Sequence, residues 1–154
     1  MATAYIGIGS NLEDPYLQVN TAILNLDKLP HSNLISQSSV YSSKPQGPQD
    51  QPDFVNAVAK ITTTLSPLEL LSSLQKQEQA QGKIKLRHWG ERLIDLDILL
   101  FDNVEVNSEK LTIPHPQMHL RDFVLLPLAE IEPNIEILAT PINQLIDQLK
   151  ETYI

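Results

Sequence analysis

Residues 92–101, Arg-Leu-Ile-Asp-Leu-Asp-Ile-Leu-Leu-Phe, read as a strand apolar enough to lie inside the protein, yet they carry Asp95 and Asp97. Successive side chains of a strand point to opposite faces. Ile94, Leu96, Ile98 and Leu100 are therefore expected on one face, and Asp95, Asp97, Leu99 and Phe101 on the other. Two carboxylates about 6.6 Å apart at Cα repel each other and raise each other's pKa unless a cation sits between them. The alternative is charge placed on an exposed edge strand against aggregation. Leu99 and Phe101 make the same face apolar beyond the aspartates, which favours a metal. With oxygen ligands only, the ion expected is Mg²⁺.

Just before this strand, Gly82-Lys83-Ile84-Lys85-Leu86-Arg87-His88-Trp89-Gly90-Glu91-Arg92 holds four of the eleven Lys and Arg residues within eleven positions. Alone, the run reads as a solvated loop. Beside a carboxylate pair it offers cations for phosphate next to carboxylates for Mg²⁺, the parts a nucleoside triphosphate site requires. The net charge of −8 argues against a general nucleic-acid or anionic-membrane surface. The absence of cysteine removes disulfides, thiolate catalysis and Cys-ligated zinc, and fits a cytoplasmic address. No window approaches the roughly 20 apolar residues of a spanning helix, and the N-terminus reads as a first strand rather than a signal peptide.

Working outward, residues 3–9 read as strand and about 13–29 as a helix whose Val19, Ile23, Leu26 and Leu29 form a stripe. Residues 36–43 read as a second strand. The segment 44–53 carries three prolines and one glycine, which excludes helix and central strand and suggests a functional loop over the site. Residues 54–64 return to strand, with Phe54 and Asn56 on one face and Val55, Ala57 and Ala59 on the other. Ser66-Pro67-Leu68-Glu69 is a capping box with proline at the first helical position; it opens a helix to Gln81, ended by Gly82. On it Gln75 and Glu78 share a face. Residues 104–106 form a short hairpin element, 111–116 an extended segment, and 121–131 and 141–149 two short helices. The order β-α-β-β-α-β with an appended tail predicts an α+β ferredoxin-like sandwich, an antiparallel sheet with two helices on one face, as one domain over 1–154.

Gly7-x-Gly9 lacks the third glycine of a dinucleotide loop and reads as a tight turn. There is no P-loop and no His-x-x-x-His pair. His31 is expected in a surface loop and His119 beside a helix, while His115 lies between Pro114 and Pro116, where a rigid backbone can aim it. Phe54 and Trp89 border polar loops, where an aromatic ring is placed to stack on something flat.

The stretch His88-Trp-Gly-Glu-Arg92-Leu-Ile-Asp95-Leu-Asp97-Ile-Leu resembles the signature of the 6-hydroxymethyl-7,8-dihydropterin pyrophosphokinases of the folate pathway. Four further blocks match in order: 5–12, 47–57, 112–116 and 121–128. The resemblance implies transfer of the terminal diphosphate of ATP to the pterin hydroxymethyl group, with release of AMP. It implies that Asp95 and Asp97 hold two Mg²⁺ ions. It places the pterin between Phe54 and Phe123, with Asn56 on its polar edge and Ser43 and Gly47 near it. Gln75, Glu78, Arg92, Ile98, Lys110, Thr112, His115 and Arg121 match ATP-contacting positions, and Trp89 lies on a loop that closes over both substrates. Lys83 and Lys85 stand where many members have arginine, so clamping of the transition state is expected to be weaker or shared with Arg87. Glu91 replaces a common proline, and Phe54 replaces the tyrosine of some members. The partners expected are small molecules only, acting on a monomer.

Overall fold

The computed structural model describes residues 1–83 and 89–154. Its main sheet has five antiparallel strands: β1 (Ala2–Ser10), β2 (Ser32–Gln37), β3 (Tyr41–Ser43), β4 (Phe54–Thr63) and β5 (Asp95–Phe101). The order is β2-β4-β1-β5, with β3 also on β4. Helices α1 (Pro15–Leu26) and α2 (Pro67–Gln81) are the two crossovers, so the βαββαβ arrangement expected from the sequence is the one found.

The second strand is not continuous. β2 pairs with the distal half of β4 and β3 with its first residues, Tyr41 opposite Asn56 and Ser43 opposite Phe54. Between them, Ser38 leaves the ladder: its hydroxyl accepts the Val58 N–H at 2.9 Å while its own N–H reaches the Val58 carbonyl at 2.8 Å. The first helix starts at Pro15, where Asp14 at φ 62 caps it from the left-handed region, and it ends at Leu26, before its stripe does. Leu29, outside the helix, is still buried. α2 matches its signals: Ser66 Oγ accepts the Glu69 N–H at 3.2 Å, the Glu69 carboxylate accepts the Ser66 N–H at 2.9 Å, and Gly82 ends it at φ 102.

The alternation assigned to residues 92–101 holds through Leu99 and fails beyond it. Tyr5 pairs with Leu100 and Ile6 with Ile98, leaving Leu99 as an extra residue. Such a bulge turns the following side chains to the opposite faces. Ile94, Leu96, Ile98 and Phe101 join the core under α1 and α2, with Ile6, Ile8, Val19, Leu26, Ile61 and Leu74. Leu99 and Leu100 join Tyr5, Val58, Leu125 and Leu128 on the other side.

That second core is roofed by α3 (Asp122–Ile131), after the hairpin of β6 (Val106–Asn107) and β7 (Thr112–Ile113). The hairpin of β8 (Glu136–Ile137) and β9 (Thr140–Pro141) leads into α4 (Ile142–Asp147), which packs on α3. Helices therefore cover both faces of the sheet, rather than one. α3 leaves the β1–β4–β5 end of its face open. No described helix is long and apolar enough to cross a membrane.

Candidate active site

Cross-strand partners in a sheet share a face, so the register places the site. Gly9 lies between Asn56 on β4 and Asp95 on β5, and Gly7 between Val58 and Asp97. These glycines belong to β1 and make no tight turn. They are the bare floor between the flanking side chains: a Cβ on Gly9 would stand 3.3 Å from Asn56 Oδ1, and one on Gly7 3.2 Å from Leu99 Cδ2. Above this floor opens a cleft of about 800 Å³. Its walls include Phe54 and Asn56 from β4, Ser43 from β3, Trp89 and Arg92 from the basic segment, Arg121 just before α3 and Phe123 in it. Four of the five proposed pterin residues thus line one cavity. The fifth, Gly47, lies against Trp89, where at φ +129 a Cβ would be 2.9 Å from Trp89 Cβ.

A second cavity, of about 560 Å³, adjoins the other side of β5 and is lined by Ile98, Lys110, Thr112 and His115. Asp97 lines both cavities. It is open to the cleft solvent, yet protein surrounds it below and to the sides. That enclosure, together with the Asp95 charge and against the pull of Arg121, pushes its carboxyl up to about 6. Arg121 itself is largely enclosed, and burial lowers its pKa against the opposing charges of Asp97 and Asp95. Its Nε is buried without a hydrogen-bond partner among the described residues, a donor suited to an incoming anion.

The cation required by the aspartate pair is present in the protein itself. Lys83 Nζ lies 2.8 Å from Asp95 Oδ1 and 3.0 Å from Glu78 Oε2. Arg92 Nε is 3.9 Å from Asp95 Oδ2. Glu78 is buried and accepts the Leu96 N–H at 2.7 Å, so α2 is bonded directly to the strand that carries the aspartates. Burial raises the Glu78 pKa despite that bond and the lysine. For Lys83, burial pulls downward, but Asp95 and Glu78 together raise it. Gln75, one turn earlier, is exposed and lines neither cavity.

His115 is held as its flanking prolines suggest. Its N–H donates to the Leu99 carbonyl at 2.9 Å, and Nδ1 accepts the Gln117 N–H at 3.2 Å. Burial and the neighbouring Arg121 push its imidazole down to about 4, so it is neutral. Lys85, with Arg87 and His88, lies outside the described residues.

Two polar residues that carry no sequence periodicity hold the loops. Asn11 Nδ2 donates to Gln51 Oε1 at 3.0 Å and to the Pro52 carbonyl at 2.9 Å, while Asn11 Oδ1 accepts the Arg92 N–H at 2.8 Å. Gln51 Nε2 donates to the Pro48 carbonyl at 2.8 Å and the Trp89 carbonyl at 2.9 Å. Both amides are buried and used at both ends, which fixes the Pro-Gln loop against the basic segment. Both fall within the family-like blocks 5–12 and 47–57, but neither lies on a periodic face that would mark it as a tie between loops.

The donor set suits a hard cation: two carboxylates on one strand, of which Asp95 alone is paired with the Lys83 ammonium, with room beside them for ligand oxygens. Among the described residues no cluster of three or more His, Cys, Asp or Glu could hold a metal alone.

The family model for 7,8-dihydro-6-hydroxymethylpterin-pyrophosphokinase (HPPK) matches residues 5–133. A 2-amino-4-hydroxy-6-hydroxymethyldihydropteridine pyrophosphokinase of Haemophilus influenzae is 52% identical over 153 residues, covering 99% of this chain and 94% of the relative. The Pseudomonas aeruginosa protein of the same name is 44% identical over 133 residues, 86% of this chain and 82% of its own length. Among solved structures, an HPPK-DHPS in complex with substrates superposes with a TM-score of 0.77 at 15% identity, over 95% of this chain and 43% of that longer chain. At that identity the likeness is one of fold. The sequence relatives and the family model, which spans every strand of the cleft, carry the assignment: this chain belongs to the 7,8-dihydro-6-hydroxymethylpterin-pyrophosphokinase family.

Proposed function

We propose that residues 1–154 act as one monofunctional domain. It transfers the terminal diphosphate of ATP to the hydroxymethyl group of 6-hydroxymethyl-7,8-dihydropterin and releases AMP, in folate synthesis. The observation that carries this reading is that Asp97 lines both cavities. A reaction joining two substrates needs their reacting atoms at one shared point, and a cleft lined by aromatic rings and an amide beside a pocket with cations suits a flat heterocycle beside a nucleotide.

In this reading Phe54 and Phe123 stack on the pterin ring. Asn56 meets its polar edge with a fixed amide, because Asn56 Nδ2 is committed to Ser43 Oγ at 2.7 Å and the carbonyl is left for the ligand. Ile98, Lys110, Thr112, His115 and Arg121 receive ATP. Neutral His115 acts as a hydrogen-bonding group and adds no charge. Gln75 joins them only if a bound nucleotide extends to the exposed face of α2. Glu78 works indirectly, by holding Lys83 and Leu96. Asp95 and Asp97 hold two Mg²⁺ ions. When bound, these supply screening of the phosphate charge and a fixed β-phosphorus for in-line attack. Lys83, Lys85 and Arg92 then bear on the anionic phosphates, and Trp89 helps exclude water from the cleft. We read the chain as a cytoplasmic monomer whose partners are these small molecules.

The test is nucleotide analysis of a reaction with ATP, the pterin alcohol and Mg²⁺. AMP should form in step with pterin diphosphate, and only when all three are present. ADP as the nucleotide product would sink the reading.

A further inference from the structure

We propose that Tyr153 is a positioning residue for the pterin cleft, joining its loop wall to its helical wall. The argument begins at Asp122, the first residue of α3, which is 2% exposed. A carboxylate so deeply buried needs hydrogen-bond donors. It finds them in the C-terminal segment: Oδ2 accepts the Tyr153 N–H at 2.8 Å and the Ile154 N–H at 3.0 Å. These bonds bring residue 153 beside Phe123.

The Tyr153 ring then stands edge-on to the Phe123 ring, with centroids 5.7 Å apart and planes at 79°. Edge-to-face contact of this kind fixes a ring as well as burying it. The opposite wall is attached to the same residue. The Lys44 N–H donates to the Tyr153 carbonyl at 2.7 Å, and the Gln46 side chain stands near the Tyr153 phenol, whose O–H donates to Glu151 at 2.6 Å. Lys44, Gln46 and Phe123 all line the cleft. Tyr153 thus contacts both walls from behind without lining the cleft itself. A stacking ring held in place before the ligand arrives loses less freedom on binding, so this contact favours the flat ligand and has no reason to favour the nucleotide.

The inference rests on the pterin reading of Phe123, and the experiment separates the two. Pterin and an unhydrolysable ATP analogue are titrated calorimetrically, with Mg²⁺, into the full chain. Tyr153→Ala should raise the pterin Kd and KM about five- to tenfold, while the analogue Kd and kcat stay within twofold. Tyr153→Phe keeps the ring edge and the backbone bonds and should stay within twofold throughout. If the alanine variant does not fold, Tyr153→Leu, which fills the space without an aromatic edge, should show the same selective loss. Unchanged pterin affinity in the alanine or leucine variant overturns the proposal, as does equal weakening of both ligands. Phe123→Ala is the control: if pterin affinity survives it, the pocket reading fails. If Phe123→Ala weakens pterin and Tyr153→Ala does not, only the role of Tyr153 falls.

Discussion

The Lys83 ammonium lies 2.8 Å from Asp95 Oδ1, in the place where two neighbouring carboxylates demand positive charge. Lys83 also bonds Glu78, whose side chain is only 9% exposed. Lys83→Ala leaves Glu78 buried without its cation and is expected to destabilise the metal-free protein by about 1–2 kcal/mol. Mg²⁺ should then raise the melting temperature of the variant more than that of the wild type, because no ammonium competes for the site. Melting curves with and without Mg²⁺ read this directly. An equal metal-induced shift in both proteins would show that lysine and metal do not share the position.

Asp97 faces both cavities beside a like charge. Asp97→Ala is expected to lower turnover about a thousandfold or more, equivalent to about 4 kcal/mol of transition-state stabilisation, with an unchanged circular dichroism spectrum. Asp97→Asn removes the repulsion and should melt higher than the wild type without metal. The gain is about 1 kcal/mol, small because Asp97 faces the cleft solvent. An active alanine variant would make the carboxylate pair mere edge decoration.

His115 is pushed from its ordinary 6.5 down to about 4 by burial and Arg121. A base with a depressed folded pKa binds its proton more readily when unfolded. Its contribution to stability is therefore complete above pH 6.5 and is lost as pH falls from 6.5 through 4. Imidazole chemical shifts should show His115 titrating near 4. Arg121→Gln should move the midpoint upward. A wild-type midpoint at 6 or above would mean that the ring is not enclosed as found.

Gly47 combines φ +129 with a Trp89 Cβ that a new methyl group would meet at 2.9 Å. Gly47→Ala therefore suffers both backbone strain and a clash. It is expected to lose about 1–2 kcal/mol and to displace Trp89. Trp89 is the sole tryptophan, so the shift of its fluorescence maximum reports the displacement directly.

The β8–β9 turn places Leu138 and Ala139 at φ 49 and 65, the signs of a type I′ hairpin built without its favoured residues. Replacing the pair with Asn-Gly should stabilise the protein by about 1 kcal/mol. Because the turn lies outside the cleft lining, kcat and KM are expected to hold steady. Chemical denaturation measures the gain.

Elements whose cause is local were legible in the chain alone. Ser66, Pro67, Glu69 and Gly82 bound α2 where their chemistry puts the ends of a helix. Val55, Ala57 and Ala59 take the core side of β4, leaving Phe54 and Asn56 for the cleft, because a two-residue period admits no other division. The same period put both aspartates of β5 on one face. It fails after Leu99 because a bulge depends on the register with β1, which no single strand records. Gly7 and Gly9 lie in the cleft floor and not in the expected turn for a like reason: a glycine looks the same in both until its cross-strand neighbours are known. Only folding brings Lys83 to Asp95, ties two loops together through Asn11 and Gln51, and stands Tyr153 behind Phe123. These contacts join positions far apart in the chain through hydrogen bonds and ring edges, and such interactions leave no periodic mark in a sequence.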